Sequence, residues 1–186
     1  MGTNIPLAGT SLITDTVDSI IAVLQRHNQQ QGSAAYKTPT VIQLRSSSLN
    51  PDSPLPWIAT TMSWFFFRYI YLDLGRACDR LVAALTCGEG GKEKLLDPIF
   101  IDPPAIHDAE GTTPTGFELF TGSSSGSKQE PAISYADLGA AFVEVARRRE
   151  GFLSQGVIVS ATGKVNLTWS PLIGYMVQGL KSRIWG

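Results

Sequence analysis

Near the start of the chain, apolar residues return at helical spacing. Ile13, Val17, Ile20, Ile21 and Leu24 fall on one side of a helix over 11–29, with Thr10 or Ser11 placed to cap it. The polar run NQQQGSAAYK ends that helix. TVIQLRSS at 40–47 is a β-branched run bounded by Pro39 and a serine cluster, and it reads as a buried strand. After the turn-rich NPDSPLP comes the longest helical candidate, 57–86, aromatic at its start and amphipathic after Leu72. GEGGKEK breaks it. DPIFID at 97–102 is a second apolar strand, stopped by Pro103 and Pro104, which have no N–H to give a ladder. Residues 105–130 are expected to form a long flexible loop, with FELFT as one strand candidate within it. A helix over 135–149 starts at a Ser134–Asp137 capping box and buries Leu138, Ala141, Phe142 and Val145. GVIVSA at 156–161 is a third apolar strand. In a last helix, 169–183, Trp169, Ile173, Met176, Val177 and Leu180 are expected to face inward.

Strands apolar on both faces, alternating with helices, predict an α/β fold: a parallel sheet flanked by helices. Such sheets bind ligands beyond the carboxyl ends of their strands. Here those ends are RSSS at 45–48, DPPAIHD at 102–108 and SATGK at 160–164. A length of 186 residues allows one domain. The 15 basic and 16 acidic residues nearly cancel, so nothing draws the chain to nucleic acid or anionic lipid. The apolar patch at 62–72 is interrupted by Arg68 and falls short of the roughly 20 residues a membrane helix needs. No nucleic-acid or membrane partner is therefore expected. Cys78 and Cys87 have no metal-ligand spacing, and no export signal is visible. They read as reduced thiols of a cytoplasmic protein, with no metal. His27, at the polar end of a helix, reads as a solvated surface residue.

An open nucleotide-binding sheet usually begins with a strand and a Gly-rich turn that cradles a diphosphate. This chain opens instead on MGTNIPLAGT, a turn with no strand before it. GEGG at 88–91 follows a helix and so fails that context. The expectation is a partial sheet, its first strands and Gly-rich loop missing. The 40–46 strand would then lie at a sheet edge with bare apolar surface, which a homodimer would cover.

Several ordered blocks carry a further signal. TPTVIQLRSSSLNP, IFIDPPAIHDAEGTTPTGFELF, ISYADLGAAFVEVARRREGF and GVIVSATGKVNLTW together resemble the averufin oxidase A family. These are fungal atypical short-chain dehydrogenase/reductase proteins of aromatic polyketide pathways, such as those making anthraquinones and xanthones. The resemblance implies a single truncated Rossmann-like domain over 1–186, similar to the carboxyl-terminal two-thirds of such a protein. It implies an oxidoreductase of secondary metabolism, an NAD(P) cofactor and a small aromatic polyketide as substrate. The alternative is a catalytically inactive homologue, or a non-enzymatic partner subunit unable to bind NAD(P). Weak NADP(H) binding by the isolated chain is expected on either reading.

Residue roles come with the resemblance. Enzymes of this superfamily use a Ser or Thr after a strand and a Tyr-x-x-x-Lys on the next helix. On that pattern Tyr71 and Ser47 are the catalytic candidates. Asn4, Ser46, Pro103 and Pro104 are the cofactor contacts, and His107 and Phe66 face the substrate. The pattern departs at Gly75, which stands where the lysine belongs. Arg76 follows it, and arginine reaches and donates differently.

Overall fold

Three apolar segments line up side by side in the computed structural model, which describes residues 8–31, 35–85, 94–106, 114–122, 129–164 and 169–185. Strand β1 (Thr40–Leu44) pairs in parallel with β2 (Asp97–Asp102), Thr40 opposite Asp97 and Leu44 opposite Ile101. On the other side of β2 lies β6 (Gly156–Ala161), also parallel, with Asp102 opposite Ile158. Strand β4 (Phe117–Thr121) adds antiparallel to β6, so the order is β1-β2-β6-β4. Two short strands, β3 (Ala105–Ile106) and β5 (Ala132–Ile133), make a separate parallel pair. The strand candidate FELFT is β4, and the segment expected to be a loop also contributes β3. Its short apolar runs find partners from far along the chain, which local pattern does not reveal.

Helices cover both faces. On one face, α1 (Leu12–Gln31) and α3 (Arg68–Ala84) pack Val17, Leu74, Ala77 and Leu81 with Leu95, Leu96 and Phe100. On the other, α4 (Tyr135–Arg147) packs Leu138, Ala141 and Val145 against Ile99, Ile101, Val157 and Val159. Alternation along β2 sends Phe100 to one side and Ile99 and Ile101 to the other. Each fully buried aliphatic side chain contributes about 1.5–3 kcal/mol relative to exposure. Among the described residues β1 is an edge strand, and it is half-buried along its whole length, unlike β2 and β6.

Two expected helices differ. The run 57–86 is not continuous: α2 (Trp57–Phe66) ends at Phe67 and α3 begins there. The two halves serve different neighbours. Helix α2 packs against the 3-10 turn Ser47–Leu49 and α5 (Trp169–Trp185), whereas α3 packs against α1. Aromatic residues crowd the junction, and these hold a helix less well than straight-chain residues do. In α5, Ile173, Val177 and Leu180 are exposed, against the expectation that they face inward. The helix meets α2 through Gly179 instead, where an added Cβ would collide with the Phe66 carbonyl. Ile20 of α1 is likewise exposed, while Ile13, Ile21 and Leu24 pack on the core.

Two buried carboxylates tie helix starts to distant segments. Asp73 on α3 accepts from the Ile13 N–H (2.9 Å), the Thr14 N–H (3.1 Å) and the Thr14 hydroxyl (2.6 Å). It thus caps α1 across 60 residues of sequence. Asp137 accepts from the Thr115 N–H and hydroxyl (2.8 Å each), the Gly116 N–H (3.0 Å) and the Ser134 hydroxyl (2.7 Å). The Ser134 oxygen in turn receives the Asp137 N–H at 3.0 Å, completing the expected cap of α4. Gly116 there has φ +86, a backbone that glycine alone adopts readily, and a Cβ would press on Thr162.

Burial pushes both carboxyls up, but the hydrogen bonds outweigh it and hold each below the ordinary aspartate value. A lowered folded pKa gives stability that is full above the ordinary carboxyl range and is lost as pH falls through the folded value. Asp73→Asn and Asp137→Asn should each lower stability at pH 7 by about 2 kcal/mol. The gap from wild type should persist at pH 5 and shrink below roughly pH 4. Urea titrations across that range measure it, and a gap that widens with acid contradicts the assignment.

Candidate functional site

The carboxyl ends of β1 and β2 carry the polar residues of the sheet. Beyond Leu44 the chain runs through Arg45 and Ser46 into the 3-10 turn Ser47–Leu49. Ser46 caps this turn with extended backbone, and its Oγ accepts the Ser48 N–H at 3.3 Å. The same Oγ lies 3.2 Å from the Tyr71 hydroxyl on α3. These two hydroxyls are 25 residues apart in sequence and share one hydrogen bond, in which either can donate.

Aromatic residues surround Tyr71. Trp64 stands edge-on to its ring, with centroids 5.5 Å apart and planes at 82°, and Phe67 lies 6.2 Å away on a tilt. The Trp64 indole N–H donates to the Ser48 carbonyl at 3.3 Å, tying α2 to the turn that carries Ser46. The helical run breaks between Trp64 and Tyr71, at Phe67.

Beneath the hydroxyl pair sits a buried ionic network. Arg45 forks onto Asp102, Nε to Oδ1 at 2.6 Å and Nη2 to Oδ2 at 2.5 Å. The Asn50 amide donates to Oδ2 at 2.8 Å. Burial pushes the Asp102 carboxyl up, with the Arg45 fork and the Asn50 amide pulling against it. Gln129 Nε2 reaches the Ser47 hydroxyl (2.7 Å), the Asp102 carbonyl (3.3 Å) and the Val159 carbonyl (2.9 Å). The Arg45 guanidinium also lies over the Phe100 ring, 4.8 Å from its centroid. Nearby Cys78 is a buried free thiol pushed up to about 11 by that burial, which leaves it a poor nucleophile.

The expected site residues divide. Tyr71 and Ser46 meet. Ser47, expected beside the tyrosine, is buried and gives its hydroxyl to the Asp102 carbonyl at 2.8 Å. Pro103 and Pro104 are buried at the end of β2, and the Pro103 carbonyl takes the Ser47 N–H at 3.0 Å. Phe66 is half-buried against Phe65 at the α2–α5 contact. Asn4 and His107 lie outside the described residues. His27 is exposed, and its ring stands edge-on to that of Tyr36. Sequence reasoning missed Trp64, Asn50, Asp102 and Gln129. Of these only Asp102 had a readable signal, a charged residue ending an otherwise apolar strand.

No protein-family model matches the chain. Averufin oxidase A of Dothistroma septosporum is 44% identical over 178 residues, covering 94% of this chain and 60% of that protein. Averufin oxidase A of Aspergillus flavus is 39% identical over 178 residues, 95% of this chain and 59% of the relative. Over nearly all of its own length the chain is similar to averufin oxidase A proteins. An averufin oxidase of Emericella nidulans, 38% identical over 177 residues, extends the set. The chain spans less than two-thirds of the length of these curated relatives. Among solved structures, a short-chain dehydrogenase/reductase (wide type) from Veillonella parvula in complex with NADP aligns at a TM-score of 0.52 and 17% identity. That alignment covers 79% of this chain and 58% of the other. A second crystal structure from that organism gives 0.53 at 16% identity, covering 82% and 62%. At such identity these neighbours establish the Rossmann-type α/β fold. The mostly parallel sheet flanked by helices agrees with it.

The carboxyl end of the parallel sheet is where a Rossmann-type fold takes a dinucleotide. Ser46 and Tyr71 bring two hydroxyls together at that end, and paired hydroxyls can pass a proton. The holding groups are not complete among the described residues. No Gly-rich turn follows a strand there, and Gly75 supplies no ribose-binding cation. Arg76 is turned along its own helix, its Nε donating to the Leu72 carbonyl at 3.0 Å.

The network depends on Gly156. A Cβ there would lie 2.6 Å from Arg45 Nη2, 2.8 Å from Asp102 Oδ2 and 3.1 Å from Asn50 Nδ2. Gly156→Ala should therefore cost about 2 kcal/mol or more, as overpacking of a buried site does. Thermal unfolding measures this, with Gly139→Ala, on open helix surface, as the control that should not destabilise.

Proposed function

We propose that this chain carries the proton-transfer half of an oxidoreductase site acting on a phenolic aromatic polyketide, in fungal secondary metabolism. The 3.2 Å pairing of the Ser46 and Tyr71 hydroxyls carries this reading. Tyr71 Oη would give or take the proton at the substrate oxygen, and Ser46 Oγ would hold that oxygen and the phenol in line. A bound nicotinamide supplies the hydride chemistry. The named relatives point to averufin, or a polyketide like it, as the substrate class. Trp64 and Phe67, already against the Tyr71 ring, suit a flat polycyclic molecule. No described helix is long and apolar enough to cross a membrane.

A second reading, an inactive homologue or a partner subunit, is favoured by Gly75. The two readings separate in a fungal strain lacking its averufin oxidase. Expression of this chain should restore the downstream product, and the Tyr71→Phe chain should restore it about a hundredfold less, or not at all. Full restoration by Tyr71→Phe defeats the proton-transfer role. No restoration by the wild-type chain favours the inactive homologue.

Gly75→Lys tests the gap directly. A Cβ at that position would meet nothing within 4 Å, so the helix admits a side chain there. Replacing a mid-helix glycine should also stabilise α3 by about 0.5–1 kcal/mol. If the absent cation limits cofactor holding, Gly75→Lys should tighten NADP(H) binding at least tenfold by titration calorimetry. Unchanged affinity would place the limitation elsewhere.

A further inference from the structure

Ser46 stands between two residues that are both fastened to Asp102. Before it, Arg45 gives two guanidinium hydrogen bonds to the Asp102 carboxylate. After it, Ser47 gives its hydroxyl to the Asp102 carbonyl. The backbone is held on either side of Asp102: the Arg45 N–H bonds to the Ile101 carbonyl at 2.8 Å and the Ser47 N–H to the Pro103 carbonyl at 3.0 Å. Ser46, the residue between, turns its hydroxyl the other way, to the Ser48 N–H and the Tyr71 hydroxyl. We infer that Asp102 is a positioning residue for the Ser46–Tyr71 pair, clamping both chain neighbours of Ser46 and so fixing where its hydroxyl points. This rests on the reading of that pair as the reacting group.

Three features support the clamp over a purely structural ion pair. Asp102 is fully buried and closes the carboxyl end of β2, directly beside the end of β1. Its carboxylate is met on both oxygens, by Arg45 and Asn50, which leaves the side chain little freedom. Gln129 then holds the far side. It donates to both the Ser47 hydroxyl and the Asp102 carbonyl, and ties them to the Val159 carbonyl of β6. The clamp is thus referenced to all three parallel strands. A hydroxyl held this way is placed by the sheet rather than by its own rotamer preference, which is what a reacting geometry needs.

The test reads the Tyr71 phenol itself and needs no turnover. The full chain is labelled with tyrosine carrying carbon-13 at Cζ, and the Tyr71 signal is assigned by its loss in Tyr71→Phe. At one neutral pH, Ser46→Ala should shift that signal. Asp102→Asn and Ser47→Ala should shift it in the same direction, Asp102→Asn by at least half as much. In the Ser46→Ala background neither should add a comparable shift, because each acts through the Ser46 hydroxyl. Ser47→Ala changes no charge and leaves the Arg45–Asp102 pair intact, so it carries the test if Asp102→Asn yields too little folded protein. A Tyr71 signal unmoved by both variants overturns the clamp. So does a shift that is equal with and without the Ser46 hydroxyl, which marks a field or packing effect felt through space. The outcomes also separate the two readings. Coupling without restored product in the fungal strain keeps the clamp and removes the oxidoreductase role. Tyr71-dependent restoration without coupling does the reverse.

Discussion

Asp102 and Arg45 meet where β1 and β2 leave the sheet, and the geometry of the site follows from how that pair is kept satisfied. Taking a carboxylate and a guanidinium out of water is costly, by several kcal/mol for each ion even after relaxation. The cost is offset only when hydrogen bonds meet the remaining lone pairs and protons. Here the second carboxylate oxygen also takes the Asn50 amide, the Asp102 carbonyl takes Ser47 and Gln129, and the guanidinium rests on Phe100. A well-packed apolar pair of the same volume would generally serve stability as well. What an apolar pair could not do is fix the direction in which two loops leave their strands. The fork prescribes that direction to within hydrogen-bond tolerance, and Gly156 on the third strand leaves the space that makes it possible.

A second, apolar constraint meets the first at Tyr71. The polar network sets the chain around Ser46 from below. Trp64 and Phe67 set the tyrosine ring from the side, and the Trp64 indole joins the two by bonding the Ser48 carbonyl. The hydroxyl pair therefore lies at the junction of two separately supported elements, the end of β1 and the first turns of α3. Asp73 anchors that helix further along, holding the start of α1 against it. A change at any of these supports would act on the pair through geometry, not through contact with a substrate.

Much of this architecture was legible because it is written in local pattern. The three parallel strands are short β-branched runs flanked by turn residues, and the α4 cap lies within four residues of chain. The rest depends on partners that local pattern does not name. Asp73 looks like an ordinary polar position of a helix until α1 is laid beside it. The break at Phe67 is invisible to periodicity, because apolar aromatics fill every helical face there. Ile173, Val177 and Leu180 have helical spacing, yet α5 meets its neighbour through Gly179 and leaves them exposed. At the site, a serine cluster before a helix was readable as chemistry, but which serine faces the tyrosine was not. That choice is made by Asp102, 55 residues away from Ser47 in sequence.

Arg45 and Arg76, each a few residues from one member of the pair, are both committed elsewhere. Arg45 is neutralised by Asp102, and Arg76 folds back on Leu72. A tyrosine assisted by a neighbouring lysine gains a cation that favours its ionised form, and Gly75 offers none. Proton transfer at Tyr71 would then rest on the Ser46 hydroxyl, itself polarised by the Ser48 N–H. A hydrogen bond falls away steeply with distance and angle, whereas a charge acts over several ångströms. A site that works by the first must hold its geometry more tightly than one that works by the second. On the proposed reading the Asp102 network supplies that tightness, and the glycine at 75 and the hydrogen-bonded support around Ser46 belong together.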